Sequence, residues 1–335
     1  MMSLITKSLL LKKMITMKFF NINKMKELLS YTAKKIVDKI LALNDGRILT
    51  VQSYRDEKGN SFYKLCVYSI TDGFICDLNI DFEKEIEAIY QMKDGNIILF
   101  FRNSKIIKIN KSNIEDVWNF NDKSIYMKKL SKDKFFIKIY DDPEHTNFFN
   151  EDSAKYRYEL YKYDKSQLIL YKDIAHLFEK EHVVTICQIN DNEYVFYTIE
   201  KNSSLGTNQF LIFYDIENDK IIKKLKVGDG NNGFDMLPIS KDNLIISGDS
   251  SIILVDIKNR TIRNNYNFNI SVEDIIYLNE KVFLYYDEGF LYQYEFEDIN
   301  TIKLKEKKEI ESTLISKYPK NKLIVCSNKN ITIYG

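Results

Sequence analysis

Glycine and proline are scarce, at 11 and 3 residues in a chain of 335. Turns here cannot draw on the usual Gly and Pro supply, so Asn, Asp and Lys must make them. Cysteine is sparse as well. Cys66, Cys76, Cys187 and Cys326 show no Cys-x-x-Cys spacing and lie in or beside apolar runs, which argues for buried free thiols in a reducing compartment. The three histidines, His145, His176 and His182, are not at metal-ligand spacing. His176 and His182 bracket Glu179 and Glu181, but a six-residue offset puts the two rings on different faces of a helix. No metal site and no cofactor are expected, and the histidines are expected at the surface.

Acid is missing from the first 26 residues, Glu27 being the first carboxylate. No apolar run approaches the ~18 residues of a membrane span. The best candidate for a secretory core, Ser8-Leu9-Leu10-Leu11, is too short and runs into Lys12-Lys13. A cytoplasmic protein without a transmembrane segment follows. Catalytic motifs are absent too: there is no Gly-x-Ser-x-Gly elbow, no His-Glu-x-x-His and no Walker loop. Gly228-Asp229-Gly230 with Gly233 does not open a helix after a βαβ-type strand, so it is no dinucleotide turn.

What is present is 44% hydrophobic and 29% charged residues, enough for a core and too apolar for a disordered chain. The 49 Lys and Arg are interspersed with 48 Asp and Glu, for a net charge of +1. That balance argues against nucleic-acid binding despite 23 tyrosines. Lys, Asn, Ile, Tyr and Phe are abundant in strands and loops alike, as an AT-biased coding sequence would produce. Before Ile40, nine lysines against Glu27 and Asp38 leave a charge of about +7, and the remainder is correspondingly acidic. Residues 1–25 are expected to form a basic extension, flexible or helical, preceding a single domain over 26–335.

A repeat defines that domain. An apolar residue, a polar turn and a second apolar run recur as Leu43-Asn44-Asp45-Gly46-Arg47-Ile48-Leu49, Met92-Lys93-Asp94-Gly95-Asn96-Ile97-Ile98, Leu130-Ser131-Lys132-Asp133-Lys134-Phe135-Phe136 and Ile189-Asn190-Asp191-Asn192-Glu193-Tyr194-Val195. The phrase returns at Ile239-Ser240-Lys241-Asp242-Asn243-Leu244-Ile245, contracts at Leu278-Asn279-Glu280-Lys281-Val282-Phe283, and closes at Tyr318-Pro319-Lys320-Asn321-Lys322-Leu323-Ile324. Each reads as a hairpin, and in most copies a third strand, a polar turn and a fourth strand follow. Four strands per unit at spacings of roughly 40 to 60 residues predict an all-β, closed β-propeller of seven four-stranded blades.

The third strands end in Tyr163-Asp164, Tyr214-Asp215 and Val255-Asp256, with weaker counterparts at Tyr68-Ser69, Ile109-Asn110 and Tyr294-Glu295. In this respect the chain resembles the WD-repeat family, over residues 26 to 335. It departs from that family in having no Trp-Asp dipeptide, no Gly-His pair before the first strand, and its one tryptophan, Trp118, elsewhere. The last unit ends on its third strand, Ile331-Thr332-Ile333-Tyr334, so Leu28-Leu29-Ser30-Tyr31-Thr32 is expected to supply its fourth and close the ring. Irregularity around His176 predicts a short helix over Ile174 to Glu181.

The resemblance implies that second-to-third-strand loops and inter-blade loops share one face, the top. The long connections Tyr54 to Ser61, Asp141 to Lys155, Lys201 to Gln209 and Val227 to Gly233 would all lie there. Candidate partner-binding residues are Tyr54, Arg55, Asp141, Asp142, His145, Phe148, Phe149, Lys201 and Asp229, with the phenylalanines as apolar anchors. The innermost strands would start at the same face with Asp38, Glu87, Asp235, Glu273, Asp274 and Glu311, an acidic pore mouth suited to a basic peptide or a cation. The reading is a monomeric, non-catalytic scaffold for a partner protein or basic peptide. The alternative is a propeller enzyme, a metal-dependent hydrolase or lyase whose carboxylates converge at the pore.

Overall fold

The computed structural model describes residues 27–70, 75–101, 105–110, 113–119, 124–131, 133–140, 156–165, 167–200, 208–227, 233–248, 251–267, 274–279, 282–287, 289–298, 301–310, 314–318 and 322–335. Strand β1 (Glu27–Thr32) comes first. The next four, β2 (Ile36–Ala42), β3 (Ile48–Arg55), β4 (Ser61–Ser69) and β5 (Ile75–Phe82), make one antiparallel sheet in sequence order. The same arrangement recurs in β6 (Ile86–Gln91), β7 (Ile97–Phe101), β8 (Lys105–Asn110) and β9 (Asn113–Asn119), then in β10 (Ser124–Lys129), β11 (Lys134–Tyr140), β12 (Tyr156–Asp164) and β13 (Gln167–Asp173).

A one-turn 3-10 helix, Ala175–Phe178, leads into β14 (Glu181–Gln188), β15 (Glu193–Glu200), β16 (Gln209–Asp215) and β17 (Lys220–Lys226). Two more sheets follow: β18 (Gly233–Pro238), β19 (Asn243–Gly248), β20 (Ser251–Asp256) and β21 (Thr261–Asn267), then β22 (Asp274–Asn279), β23 (Val282–Asp287), β24 (Phe290–Asp298) and β25 (Thr301–Glu309). The last three strands, β26 (Leu314–Tyr318), β27 (Lys322–Ser327) and β28 (Asn330–Tyr334), are completed by β1, which pairs antiparallel with β28. Ser30 faces Thr332 across that pair, their hydroxyls 3.2 Å apart.

Burial explains why second strands read as unbroken apolar runs. All five residues of β7 are buried, and alternate side chains serve different neighbours. Ile97, Leu99 and Phe101 pack with Leu49 and Val51, whereas Ile98 and Phe100 pack with Phe135 and Ile137. Phe136 and Phe196 continue the series between the third and fourth sheets, and Tyr197 and Ile246 between the fourth and fifth. Later cores join Leu254 to Tyr292 and Leu291 to Leu323. One further core joins Ile48 and Val37 to Ile324 and Ile333, so the last sheet packs on the first.

The repeated sequence phrase is the first turn of each sheet. In five copies its leading apolar residue donates a backbone hydrogen bond four residues on: Leu43 to Arg47, Met92 to Asn96, Leu130 to Lys134, Ile189 to Glu193 and Ile239 to Asn243, at 2.8 to 3.0 Å. Gly46 and Gly95 sit there at φ +86°, where a side chain would be strained. The Asp that ends the third strands also has a structural task. Asp215 accepts from the backbone of Glu217 and Asn218 (3.0 and 3.1 Å), and Asp256 accepts from Asn259 (2.9 Å), each closing the turn to the fourth strand.

Each outer strand carries one extra residue opposite its partner, as at Asp77, Tyr171, Ile222, Arg263 and Lys305. Such bulges twist a sheet edge away from other edges. The helix around His176 is shorter than the sequence suggests, because β14 already begins at Glu181. That strand draws His182 inward to 9% exposure against Tyr156, correcting its expected surface position. His176 is exposed, and His145 lies outside the described residues. No helix among the described residues is long and apolar enough to cross a membrane.

Candidate functional site

The first strands of the sheets converge: β14 lies against β18, and β2 and β22 both lie against β26. Their side chains divide by alternation. In β10, Met127 packs into the core, which leaves Tyr126 and Lys128 together on the opposite face. From there the Lys128 ammonium donates to Thr185 Oγ1 of β14 at 2.8 Å and pairs with Asp235 of β18. A single cation thus ties three consecutive sheets. Burial raises the Tyr126 phenol pKa; Lys128 opposes that shift, Asp235 adds to it, and a hydrogen bond with Thr185 opposes it.

Asp38, Glu87 and Asp235 all fall within the first three residues of β2, β6 and β18, where the sequence puts them. Asp38 and Glu87 are themselves the extra residues of bulges, opposite which the second strand advances by one. A bulge re-aims its side chain, which is how two carboxylates enter strands that also feed the core through Val37 and Ile86. Glu87 and Asp235 are exposed, and Asp38 is half-buried, with Oδ2 enclosed and without a hydrogen-bond partner among the described residues. Asp235 does not stand as a lone negative charge, because Lys128 answers it. β22 begins at Asp274, while Glu273 and Glu311 lie outside the described residues. The sequence analysis missed Lys128; the signal for it was the Tyr126-Met127-Lys128 alternation.

At the end of the first sheet where β3 turns into β4, Tyr54 is held on every side. Its ring stacks on Phe62 (5.6 Å, 22°), the ammonium groups of Lys35 and Lys64 stand 5.1 and 6.0 Å from its centre, and its hydroxyl donates to Asp81 at 3.2 Å. Arg55 beside it is exposed. The turn beyond is locked by Asp56, which accepts from the backbones of Lys58 and Asn60 (2.9 and 2.8 Å) and from the Asn60 amide (2.9 Å). The Asn60 side-chain bond, with these backbone bonds, holds the Asp56 carboxyl below its usual range. Asp141, Asp142, His145, Phe148, Phe149, Lys201 and Asp229 lie outside the described residues.

Nucleophilic chemistry finds little support among the thiols. Burial pushes Cys187 up to about 12 and Cys326 up to about 11, the reverse of an activated cysteine. Cys66, Cys187 and Cys326 are buried. Among the described residues no three His, Cys, Asp or Glu side chains are grouped to hold a metal ion.

The sheets and their order define a β-propeller of the WD-repeat-like kind, and solved structures share it. One, from a crystal structure of the mitotic checkpoint complex, superposes with a TM-score of 0.63 at 8% identity, over 95% of this chain and 93% of its own. The WD40 β-propeller domain of Doa1 gives 0.58 at 12% identity, over 93% and 96%. BamB from Moraxella catarrhalis gives 0.54 at 10% identity, over 92% and 97%. No protein-family model matches the sequence, and no curated protein does.

Proposed function

We propose that residues 26–335 form one closed ring of seven blades, with β1 as the closing strand, and that the ring is a non-catalytic scaffold gripping a partner protein or basic peptide. The partner sits where second-to-third-strand and inter-sheet connections emerge, against Tyr54, Arg55, Asp141, Asp142, His145, Phe148, Phe149, Lys201 and Asp229. Of the acids Asp38, Glu87, Asp235, Asp274 and Glu311, those other than the Lys128-paired Asp235 complement positive charge on the partner. The protein acts as a monomer in the cytosol, and residues 1–25 are a basic extension preceding the propeller domain.

One observation carries this reading: the two ends of the sheets are unequal. At one end, strands are joined by turns such as residues 43–47, 92–96, 216–219 and 257–260. At the other, residues 141–155 separate β11 from β12, 201–208 separate β15 from β16, and 227–232 separate β17 from β18. Connections longer than a hairpin needs are where binding residues gather on rigid scaffolds. Affinity capture from native lysate should recover a partner with the full chain and lose it when Asp141, Asp142, Phe148 and Phe149 are replaced together. Equal recovery by both chains would contradict the assignment.

A further inference from the structure

A cavity of about 550 Å³ opens between the first and last sheets, at the end where residues 43–47 turn. Its apolar wall comes from both ends of the chain: Leu28 and Leu29 of β1, Ile333 of β28, Ile70 just after β4, and Tyr318 at the end of β26. Leu28 is the extra residue of a bulge, Glu27 pairing with Tyr334 and Leu29 with Ile333, which is how two consecutive leucines reach one cavity. Leu28 is left 48% exposed, whereas Ile333 and Tyr318 are 2% and 7% exposed.

Hydrogen bonds hold the lining in place. The Tyr318 hydroxyl donates to the Gly46 carbonyl at 2.5 Å, which ties the last sheet to the first turn of the first. The Asn44 backbone amide donates to Gln91 Oε1 at 2.6 Å and pins the same turn to the second sheet. Gly335 passes so close that a Cβ on it would stand 2.7 Å from Leu28 Cδ1 and 3.3 Å from Lys322 Cγ.

The polar side chains of the lining are Asn44, Asp45 and Lys322. Asp45 is already answered, accepting from Arg47 Nε at 2.9 Å and pairing with Arg47 Nη2 at 2.8 Å. Lys322 makes no ion pair, and the Asn44 side chain no hydrogen bond, among the described residues. Glu27 does not offset Lys322. It is paired with Tyr334, so it shares that residue's face of the last sheet, which packs on the core with the sixth. Six lysines and no acid precede Glu27 in the chain. The uncompensated charge of the lining is therefore positive.

We propose that this cavity binds a medium-chain carboxylate. Its alkyl tail lies along Leu28, Leu29, Ile70 and Ile333, and its carboxylate accepts from the Lys322 ammonium and the Asn44 side-chain amide. An apolar slot with one available cation selects this class: a neutral lipid forgoes the ammonium, and a cationic amphiphile meets it with like charge. Because β1, β28 and the turn between β2 and β3 all contribute, an occupant touches the first and the last sheet together. The site is at the opposite end from the long connections and does not depend on the partner surface proposed above.

The test is isothermal titration calorimetry of the full chain with sodium decanoate below its micelle concentration. Saturable one-to-one binding is expected, at least tenfold weaker for decylammonium and at least tenfold weaker for Lys322→Gln, which removes the charge and keeps the stem. Leu28→Asp should weaken decanoate at least tenfold as well, and circular dichroism should show that variant folded, because the side chain is half exposed. 1-Decanol should bind the unaltered and Lys322→Gln chains alike. Replacing Phe19 and Phe20 by serine should leave decanoate affinity unchanged. The proposal fails if decanoate does not saturate, if decylammonium binds as well, or if Lys322→Gln or Leu28→Asp binds decanoate as the unaltered chain does. It also fails if Lys322→Gln weakens 1-decanol as much as decanoate, or if the Phe19 and Phe20 replacements tighten binding tenfold, which would make the chain's own N-terminal segment the occupant.

Discussion

Asp256 ends its strand at 3% exposure, gathering hydrogen bonds from Asn259 and from Arg263 Nε and Nη2 at 3.0 and 2.5 Å. Burial alone would raise its pKa, but the Asn259 and Arg263 bonds outweigh it and hold the carboxyl below the ordinary aspartate value of 3.8. A carboxylate depressed in the folded state stabilises the fold fully above its unfolded pKa, and this contribution drains away as pH falls through the lower folded value. Asp256→Ala leaves Arg263 unanswered and should cost about 3 kcal/mol in urea unfolding at neutral pH, with a shallower loss of stability below pH 4 than the native chain shows. The Tyr-Asp and Val-Asp endings were legible in the sequence as a family-like pattern, and the structure supplies their cause in the turn. The thiols make a second prediction at this scale. With Cys187 raised to about 12, its thiolate population falls roughly 10³-fold relative to an ordinary thiol. In a Cys76→Ser chain at pH 8, Cys66, Cys187 and Cys326 should react with a disulfide reagent slowly until guanidinium is added. Rapid labelling of the native chain would show an open thiol.

At the scale of strands, the seven polar phrases were visible because a hairpin turn needs neighbouring residues and so leaves a local signature. The inward pull on His182 and the outer-strand bulges were not visible, since both depend on what lies across a sheet face or opposite a strand edge. The Lys128 bridge is similarly nonlocal, linking positions 128, 185 and 235. The acids at Asp38 and Glu87 were found by position, although their bulges were not. Strand burial sets the expected mutational contrast. Phe196 is fully buried between Phe136, Phe178 and Tyr214, so Phe196→Ala should cost about 4 kcal/mol. Leu304 on an outer strand is 50% exposed, and Leu304→Ala should stay within about 0.5 kcal/mol. Denaturant unfolding of both variants checks the difference, and equal costs would contradict the division into buried second strands and open outer ones.

For the whole molecule, the cores between consecutive sheets and the pairing of β1 with β28 bring the two ends of the chain into one sheet. Packing of each sheet on the next, in cores such as those joining Leu49 to Leu99 and Ile48 to Ile324, is what sets the sheets face to face. The long connections, residues 141–155, 201–208 and 227–232, were readable from sequence because a long polar interval between apolar runs is a local signal. Closure is the claim on which both the fold and the proposed binding end depend. The direct measurement is a cross-link in a chain whose four native cysteines are replaced by serine, carrying Ser30→Cys and Thr332→Cys. Mild oxidation should yield a monomeric disulfide that migrates faster on a non-reducing gel and returns to the open position on reduction. Only intermolecular dimers, or no disulfide, would mean that β1 does not complete the last sheet and that the ring is open.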